Sequence, residues 1–496
     1  MDPRKKRKLL IALAVLGVLV LVVGITAWYK IFRDVPQPEW ITKDQRNYFL
    51  YGSIGAEKWD GGIPYWIWLV LPRMFPEYLP GPGGYAAFGL SWEEGKEWPA
   101  GFSKKTVGFV RMGQNCAICH STSYRTKEDE APKVVPAGPG HTADIQGLIV
   151  FFTKCAADPR FNADDMLAEI DQVTKLSFLD RLIYRFLVPM VKQALLTQGK
   201  GFAWAASKPQ WGPGRDAPMN LTKFNLLGGA DDGTVDNTDF PAIWHLAVRE
   251  QAGRTWTDKT PTPIPAHTML MNLDGATTSF RSVLIDSALG LQASNTPFFN
   301  QRIPELLKWL ETFTPPPYPL PVDAAKAAHG KTVFAAECAS CHAPDLDNRL
   351  GTVIPIAEIG TDRERLDAWT KTAADGANAK VASLGIVRTP MIKTEGYIAV
   401  QLDGLWLRGP YLHNGSVPSV RDLLAPPAAR PQFFYRGYDV IDPTNLGFVS
   451  NLPEIKGHKF YRFDTKERGN GNGGHEFGTQ LPAPEKEALL EYLKTL

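Results

Sequence analysis

Two pentapeptides carry the densest chemistry in this chain, Cys116-Ala117-Ile118-Cys119-His120 and Cys338-Ala339-Ser340-Cys341-His342. Both read C-x-x-C-H, the spacing that attaches a c-type haem. Two thiols three positions apart reach the two vinyl groups on one edge of the macrocycle, and the next residue brings its imidazole beneath the iron as proximal ligand. A zinc ribbon would place its cysteine pairs about 15–20 residues apart and needs no trailing histidine. Here the pairs lie in opposite halves of the sequence, and a thioredoxin-like dithiol would not repeat the histidine either. The expectation is two covalently bound haem c groups held by Cys116, Cys119, Cys338 and Cys341, with His120 and His342 on the metals. The fifth cysteine, Cys155, follows Phe151-Phe152-Thr153-Lys154 and reads as a buried structural thiol.

The sixth position on each iron decides what such a group does, because a second strong ligand suits electron transfer while an open face admits small oxidants. Seven histidines remain: His141, His245, His267, His329, His413, His458 and His475. His475 follows Gly469-Asn470-Gly471-Asn472-Gly473-Gly474, where glycines permit close backbone approach to a flat ligand and Glu476 could orient the ring. It is the first choice as distal ligand of the second haem. His413 is the second, with hydrogen bonding to a propionate as its other role, and Met391 in Thr389-Pro390-Met391 is the third. Phe240-Pro241-Ala242-Ile243-Trp244-His245 suits the distal wall of the first haem, with Trp244 and His245 as catalytic candidates; an ordinary aromatic helix start reads equally well. Asp231-Asp232-Gly233 and Asp236 suit a calcium ion or a plain solvated turn.

These groups need a scaffold, and its outline follows from composition. Hydrophobic residues at 44% and charged residues at 21% are ordinary globular values, which excludes disordered and fibrous classes. Lys and Arg total 54 against 52 acidic residues, a balance that excludes an electrostatic nucleic-acid binder. Arg4-Lys5-Lys6-Arg7-Lys8 precedes an apolar run from Leu9 to Trp28 that is long enough to cross a bilayer. The run ends in aromatics and Lys30 instead of a small-residue cleavage site, so it reads as a retained anchor rather than a secretory signal. The positive-inside rule keeps the basic block in the cytoplasm and puts everything beyond residue 30 on the far side, the periplasmic face of a bacterial inner membrane. Tyr65 to Leu71 is apolar but too short to span.

Beyond the anchor, helical runs alternate with Gly/Pro turns and long strands are scarce, so the class is mainly α with many irregular loops. Thr314-Pro315-Pro316-Pro317-Tyr318-Pro319-Leu320-Pro321 is extended and marks a boundary. It separates a first cytochrome c domain over 31–314 from a second over 322–496, with 315–321 as linker and 1–30 as basic stub and anchor. Each half ends in a similar helix, Pro304–Leu310 and Glu487–Leu493, and Asp323 starts the helix leading into the second frame.

The paired frames, the stretch Gly409-Pro410-Tyr411-Leu412-His413-Asn414-Gly415-Ser416-Val417-Pro418-Ser419 and the terminal Gly474-His475-Glu476-Phe477-Gly478 resemble the dihaem cytochrome c peroxidase superfamily. The closer likeness is to its rubber-oxygenase-like branch, whose first-haem pocket Asp239-Phe240-Pro241-Ala242-Ile243-Trp244 and Leu273-Asp274-Gly275-Ala276 also resemble. The resemblance implies a reactive N-terminal haem on His120, a relay haem on His342 and His475, and an aromatic between them, for which Trp211, Trp244 and Trp406 are candidates. The chain departs from that branch in keeping its anchor. It departs again in Val248 to Met269, where Arg249, Arg254, Asp258 and His267 are unlike an apolar polymer pocket.

Two functional classes follow. One is an oxidoreductase in which the first haem activates peroxide or dioxygen and the second relays electrons from small redox proteins or membrane carriers. The other is a purely electron-transferring dihaem cytochrome of a membrane chain.

Overall fold

The computed structural model describes residues 3–58, 61–246, 272–293, 298–343 and 349–496. Arg249, Arg254, Asp258 and His267 lie outside the described residues. About 46% of the chain is helical, and no described strand exceeds six residues, so the mainly α, loop-rich character expected from the sequence holds at that level.

The N-terminal apolar run is one helix, α1 (Pro3–Ile31), none of whose residues is buried. By length and composition it can cross a membrane. Its last turn runs into strand β1 (Asp34–Val35), the edge of an antiparallel sheet of order β1-β3-β4-β2, with β2 (Ile63–Pro64), β3 (Phe102–Val107) and β4 (Phe109–Gln114). β3 and β4 form a hairpin in register from Phe102↔Gln114 to Val107↔Phe109. Gly108 turns it at φ +72°, a left-handed value suited to glycine. The apolar run at Tyr65 is the buried helix α2 (Tyr65–Met74).

Three helices follow, α3 (Ile145–Ala157), α4 (Ala163–Val173) and α5 (Phe178–Gly201), with α3 and α4 packed on α5 and Tyr184 of α5 reaching Phe109 of the sheet. Each begins on a side-chain cap: Asp144 accepts from Gly147 N, Asn162 from Asp164 N and Asp165 N, and Ser177 from Asp180 N. Cys155 is fully buried on α3. After α6 (Phe280–Gly290) comes α7 (Ile303–Thr312), whose Trp309 packs on Phe49 at 5.5 Å between ring centroids.

Past the proline-rich stretch, α8 (Ala324–Glu337) is capped by Asp323, which accepts from Ala325 N and Lys326 N. It lies against α10 (Ala483–Leu493); α9 (Lys371–Ser383) packs elsewhere, around Trp369. α8 meets α10 at Gly330, where a Cβ would sit 1.9 Å from the Ala488 carbonyl oxygen, so only glycine allows that crossing. Phe334 and Tyr492 close the seam at 5.2 Å. One large apolar core runs from Ile41 through Ile303 and Val333 to Leu493, drawing on both sides of the proline-rich stretch.

Candidate functional site

The first C-x-x-C-H frame is a buried turn at the foot of the β3–β4 hairpin. Asn115 caps it, accepting from Ala117 N at 3.0 Å while its own amide donates to Gly52 O at 2.9 Å. Gly101, at φ +90°, lets the preceding loop pass so close that a Cβ would sit 2.3 Å from Ile118 Cα. Cys116, Ala117 and Ile118 are buried. His120 Nδ1 lies 2.9 Å from Pro241 O, which accepts its proton and fixes the ring with Nε2 as the free nitrogen. Burial pushes this imidazole down to about 4, so it stays neutral and able to bind a metal.

The second frame is built differently. Cys338 ends α8, and Ala339–His342 forms one further helical turn with no buried residue. His342 Nδ1 lies 2.7 Å from Val400 O, the same backbone anchor supplied by an unrelated loop. Burial lowers the His342 pKa as well.

Opposite His342 stands His475, with ring centroids 6.3 Å apart and planes 45° from each other. Two imidazoles binding one metal from opposite sides place their centroids roughly 6 Å apart, since each metal–nitrogen bond is about 2 Å. Nδ1 of His475 is buried without a hydrogen-bond partner. The loop that carries it is held by backbone. His475 N donates to Ile359 O at 2.7 Å, and Arg430 donates to Gly474 O at 2.8 Å and to His475 O at 3.3 Å. Gly474, at φ +73°, passes the backbone of Gly360, where a Cβ would meet the carbonyl carbon at 2.3 Å. His475 itself sits at φ 49°, a strained value for a side chain of its size. Glu476, expected to orient the ring, is exposed, and the close approach expected toward a flat ligand is made here toward another stretch of backbone.

The other candidates are elsewhere. His413 is buried and stacked on Tyr397 at 3.9 Å, with burial and Arg365 pushing its pKa down to about 3. Met391 packs beside the cluster around Trp369. Asp231 and Asp232, offered for calcium, are paired with Lys208 and Lys223, each at 2.7 Å. Asp236 is buried and accepts from Met219 N at 2.6 Å.

The Phe240–His245 segment, expected at the distal wall of the first haem, lies beside His120, with the Phe240 ring 6.3 Å from the imidazole. Pro241 O anchors His120, so the segment lies against the first frame, and its far end reaches toward the loop that anchors His342. Trp244 is fully buried; its Nε1 donates to Asp403 O at 3.0 Å and its carbonyl accepts from Gln401 Nε2 at 2.9 Å. His245 Nδ1 lies 2.8 Å from Asp403 Oδ1. Since Gln401 adjoins Val400, a short path of hydrogen bonds and backbone joins His120 to His342 through Pro241, Trp244, Gln401 and Val400. Arg408 braces it, donating to Gln401 O at 2.6 Å. Trp211 instead packs with Phe202 and Trp204, and Trp406 with Tyr124 and Tyr318.

Sequence reasoning missed Pro241, Val400, Gln401, Asp403 and Arg430. All five act through or upon backbone carbonyls, which leave no side-chain signature. His141 was counted but given no role. It is buried beside the first frame, where Gly140 N donates to Cys119 O at 2.8 Å. It stacks on Phe448 at 3.8 Å with both ring nitrogens unpartnered.

At each frame the donors suit haem c: two thiols free of disulfides and one backbone-anchored neutral imidazole. Among the described residues no three His, Cys, Asp or Glu side chains converge on a metal-sized site, so the cysteine pairs do not close a zinc ribbon.

Comparison with known proteins agrees. Residues 396–435 match the family described as RoxA-like, cytochrome c-like, a segment that includes Val400, Gln401, Asp403, Trp406, Arg408, His413 and Arg430. The match links the chain to cytochromes c and implies covalently bound haem c. Two uncharacterized proteins of Sinorhizobium fredii are also similar. For y4iJ the identity is 30%, covering 35% of this chain and 39% of that protein. For y4iM it is 32%, covering 38% of this chain and 52% of that protein. The chain thus spans about half or less of the length of the curated relatives it matches.

Proposed function

We propose that the chain is a membrane-anchored dihaem c-type cytochrome, built as two tandem haem units, that reduces peroxide or dioxygen at its N-terminal haem and relays electrons through its C-terminal haem. The observation that carries this reading is the inequality of the two frames. His342 faces a second imidazole across a metal-sized gap, whereas among the described residues the ring in contact with His120 is the phenyl group of Phe240.

When bound, the haems supply the redox chemistry, and the protein sets ligation, access and the route between them. On this reading Cys116 and Cys119 would tether the reactive group, and His120, its ring fixed by Pro241, would hold it. Cys338 and Cys341 would tether the relay group, and His342 and His475 would hold it. Trp244, packed between the two anchoring loops, bridges them and excludes water from the gap. Reduction of one peroxide consumes two electrons and two protons and releases two waters. Small redox proteins or membrane carriers supply the electrons, and α1, as a retained anchor, keeps the body at the periplasmic face of the inner membrane.

Mixing the fully reduced protein with peroxide or dioxygen tests this. Reoxidation should be first order in oxidant and blocked by cyanide. Inertness toward both, with rapid electron exchange to a small cytochrome, would make the protein a carrier.

A further inference from the structure

The end of α1 is welded to the folded body. Lys30 Nζ lies 2.6 Å from Asp180 Oδ1 on α5, Gly108 N donates to Arg33 O at 2.8 Å, and β1 continues directly into the sheet. A Cβ on Gly108 would meet the Ile31 carbonyl carbon at 2.4 Å, so the hairpin tip abuts the last turn of α1. α5 begins at this junction and presents one apolar stripe outward. Phe178 is 86% exposed, Phe186 66% and Met190 64%, with Leu182 exposed between them. Their i, i+4, i+8, i+12 spacing sets them on one face over roughly 18 Å, while Tyr184, Val188 and Leu195 on the other face are buried. Further along the outward face the residues turn to Gln193, Ala194 and Thr197, all exposed. The stripe is therefore apolar only in the part nearest α1. Trp28, Tyr29 and Phe32, also exposed, ring the same junction as aromatics do at a membrane–water boundary.

We propose that the first half of α5 lies in the interfacial layer of the same phospholipid bilayer that α1 crosses, with Phe178, Leu182, Phe186 and Met190 among the acyl chains. This rests on α1 being a retained anchor. Continuity with α1 selects lipid as the occupant, because a helix that spans a bilayer and is tied to Asp180 carries the stripe to the membrane surface. Large side chains grouped in this way are otherwise unfavourable in water. The contact would give the haem body a fixed tilt on the membrane, where a single helix would leave it free to swivel.

The full-length, haem-loaded chain is placed in nanodiscs of phosphatidylethanolamine and phosphatidylglycerol with a nitroxide at Phe186→Cys, at Met190→Cys, or at the exposed reference Glu454→Cys. Cys155 is fully buried and leaves the label site-specific. Oxygen concentrates in lipid and a nickel chelate in water, so the oxygen-to-nickel collision ratio at the first two sites should exceed that at Glu454→Cys by about tenfold. A ratio equal to the reference overturns the proposal while α1 stays intact. Labels shielded from both reagents overturn it in favour of a covering protein. Release of the chain by carbonate with α1 missing by mass spectrometry overturns the anchor reading and this one together.

Discussion

The two C-x-x-C-H frames have the same spacing and opposite surroundings. The first is a buried turn fed by a β-hairpin and fixed by Asn115 and Gly101; the second is the half-exposed last turn of a helix pair, α8 on α10. His120 and His342 nevertheless each meet one backbone carbonyl, Pro241 O or Val400 O. The pentapeptide thus needs little more than a carbonyl at the right distance, and strand or helix can deliver it. What differs is the ring beside each histidine, an imidazole facing His342 and, among the described residues, the phenyl ring of Phe240 beside His120, and the proposed division of labour follows from that difference.

The strongest challenge to the comparison is to delete one frame at a time. Cys338→Ala with Cys341→Ala should reduce the haem content from two per chain to one, read by the pyridine haemochrome, and leave the first frame folded. Cys116→Ala with Cys119→Ala should also leave one haem but cost more stability, because Cys116 belongs to the main core. Loss of both haems from either variant would show that the frames are not separate units.

A narrower change addresses the face opposite His342. Gly474→Ala places a methyl group against the Gly360 backbone at a left-handed φ. It should cost about 2–4 kcal/mol in denaturant unfolding and turn part of the second haem high spin, with the first unchanged. A matching change in the first haem's spectrum would mean that the two sites share one environment.

Buried carboxylates add a pH dependence of their own. Burial pushes Asp236, in the first half, up to about 6, so the folded chain binds this proton more tightly than the unfolded chain does. Its contribution to stability is fully present below about pH 4 and is lost as pH rises through about 6, a span worth about 3 kcal/mol. Asp236→Asn should flatten that part of the stability–pH curve, as measured by urea midpoints between pH 4 and 7; an unchanged slope would assign it to another group.

The smallest expected effect concerns the link between the frames. The His245–Asp403 contact is partly exposed and contributes about 1 kcal/mol or less to stability. Asp403→Asn should therefore leave Tm nearly unchanged while slowing electron exchange between the haems in flash reduction. A large drop in Tm with unchanged exchange would make the contact structural only.

The chemistry-bearing residues were legible in the sequence and their supports were not. C-x-x-C-H frames announce themselves because two thiols and an imidazole at fixed spacing have few other uses. Asp323 and the helices over 304–310 and 487–493 were legible from capping and period. The glycine run before His475 signalled a close approach without revealing its partner, since Gly360 is far away in sequence. Trp244 and His245 were singled out for their types, but their partners, the backbone and carboxylate of Asp403, and the carbonyl of Pro241 that anchors His120 are contacts that side-chain patterns do not encode. Asp403 and Arg430 act across long sequence separations, and no periodicity predicts them.

Electron paramagnetic resonance of the ferric protein with added cyanide tests the central inequality most directly. One high-spin signal that cyanide converts and one low-spin signal that it leaves alone are expected, and His475→Ala should turn only the second high spin. Two low-spin signals indifferent to cyanide, or a spectrum that His475→Ala does not alter, would contradict the account.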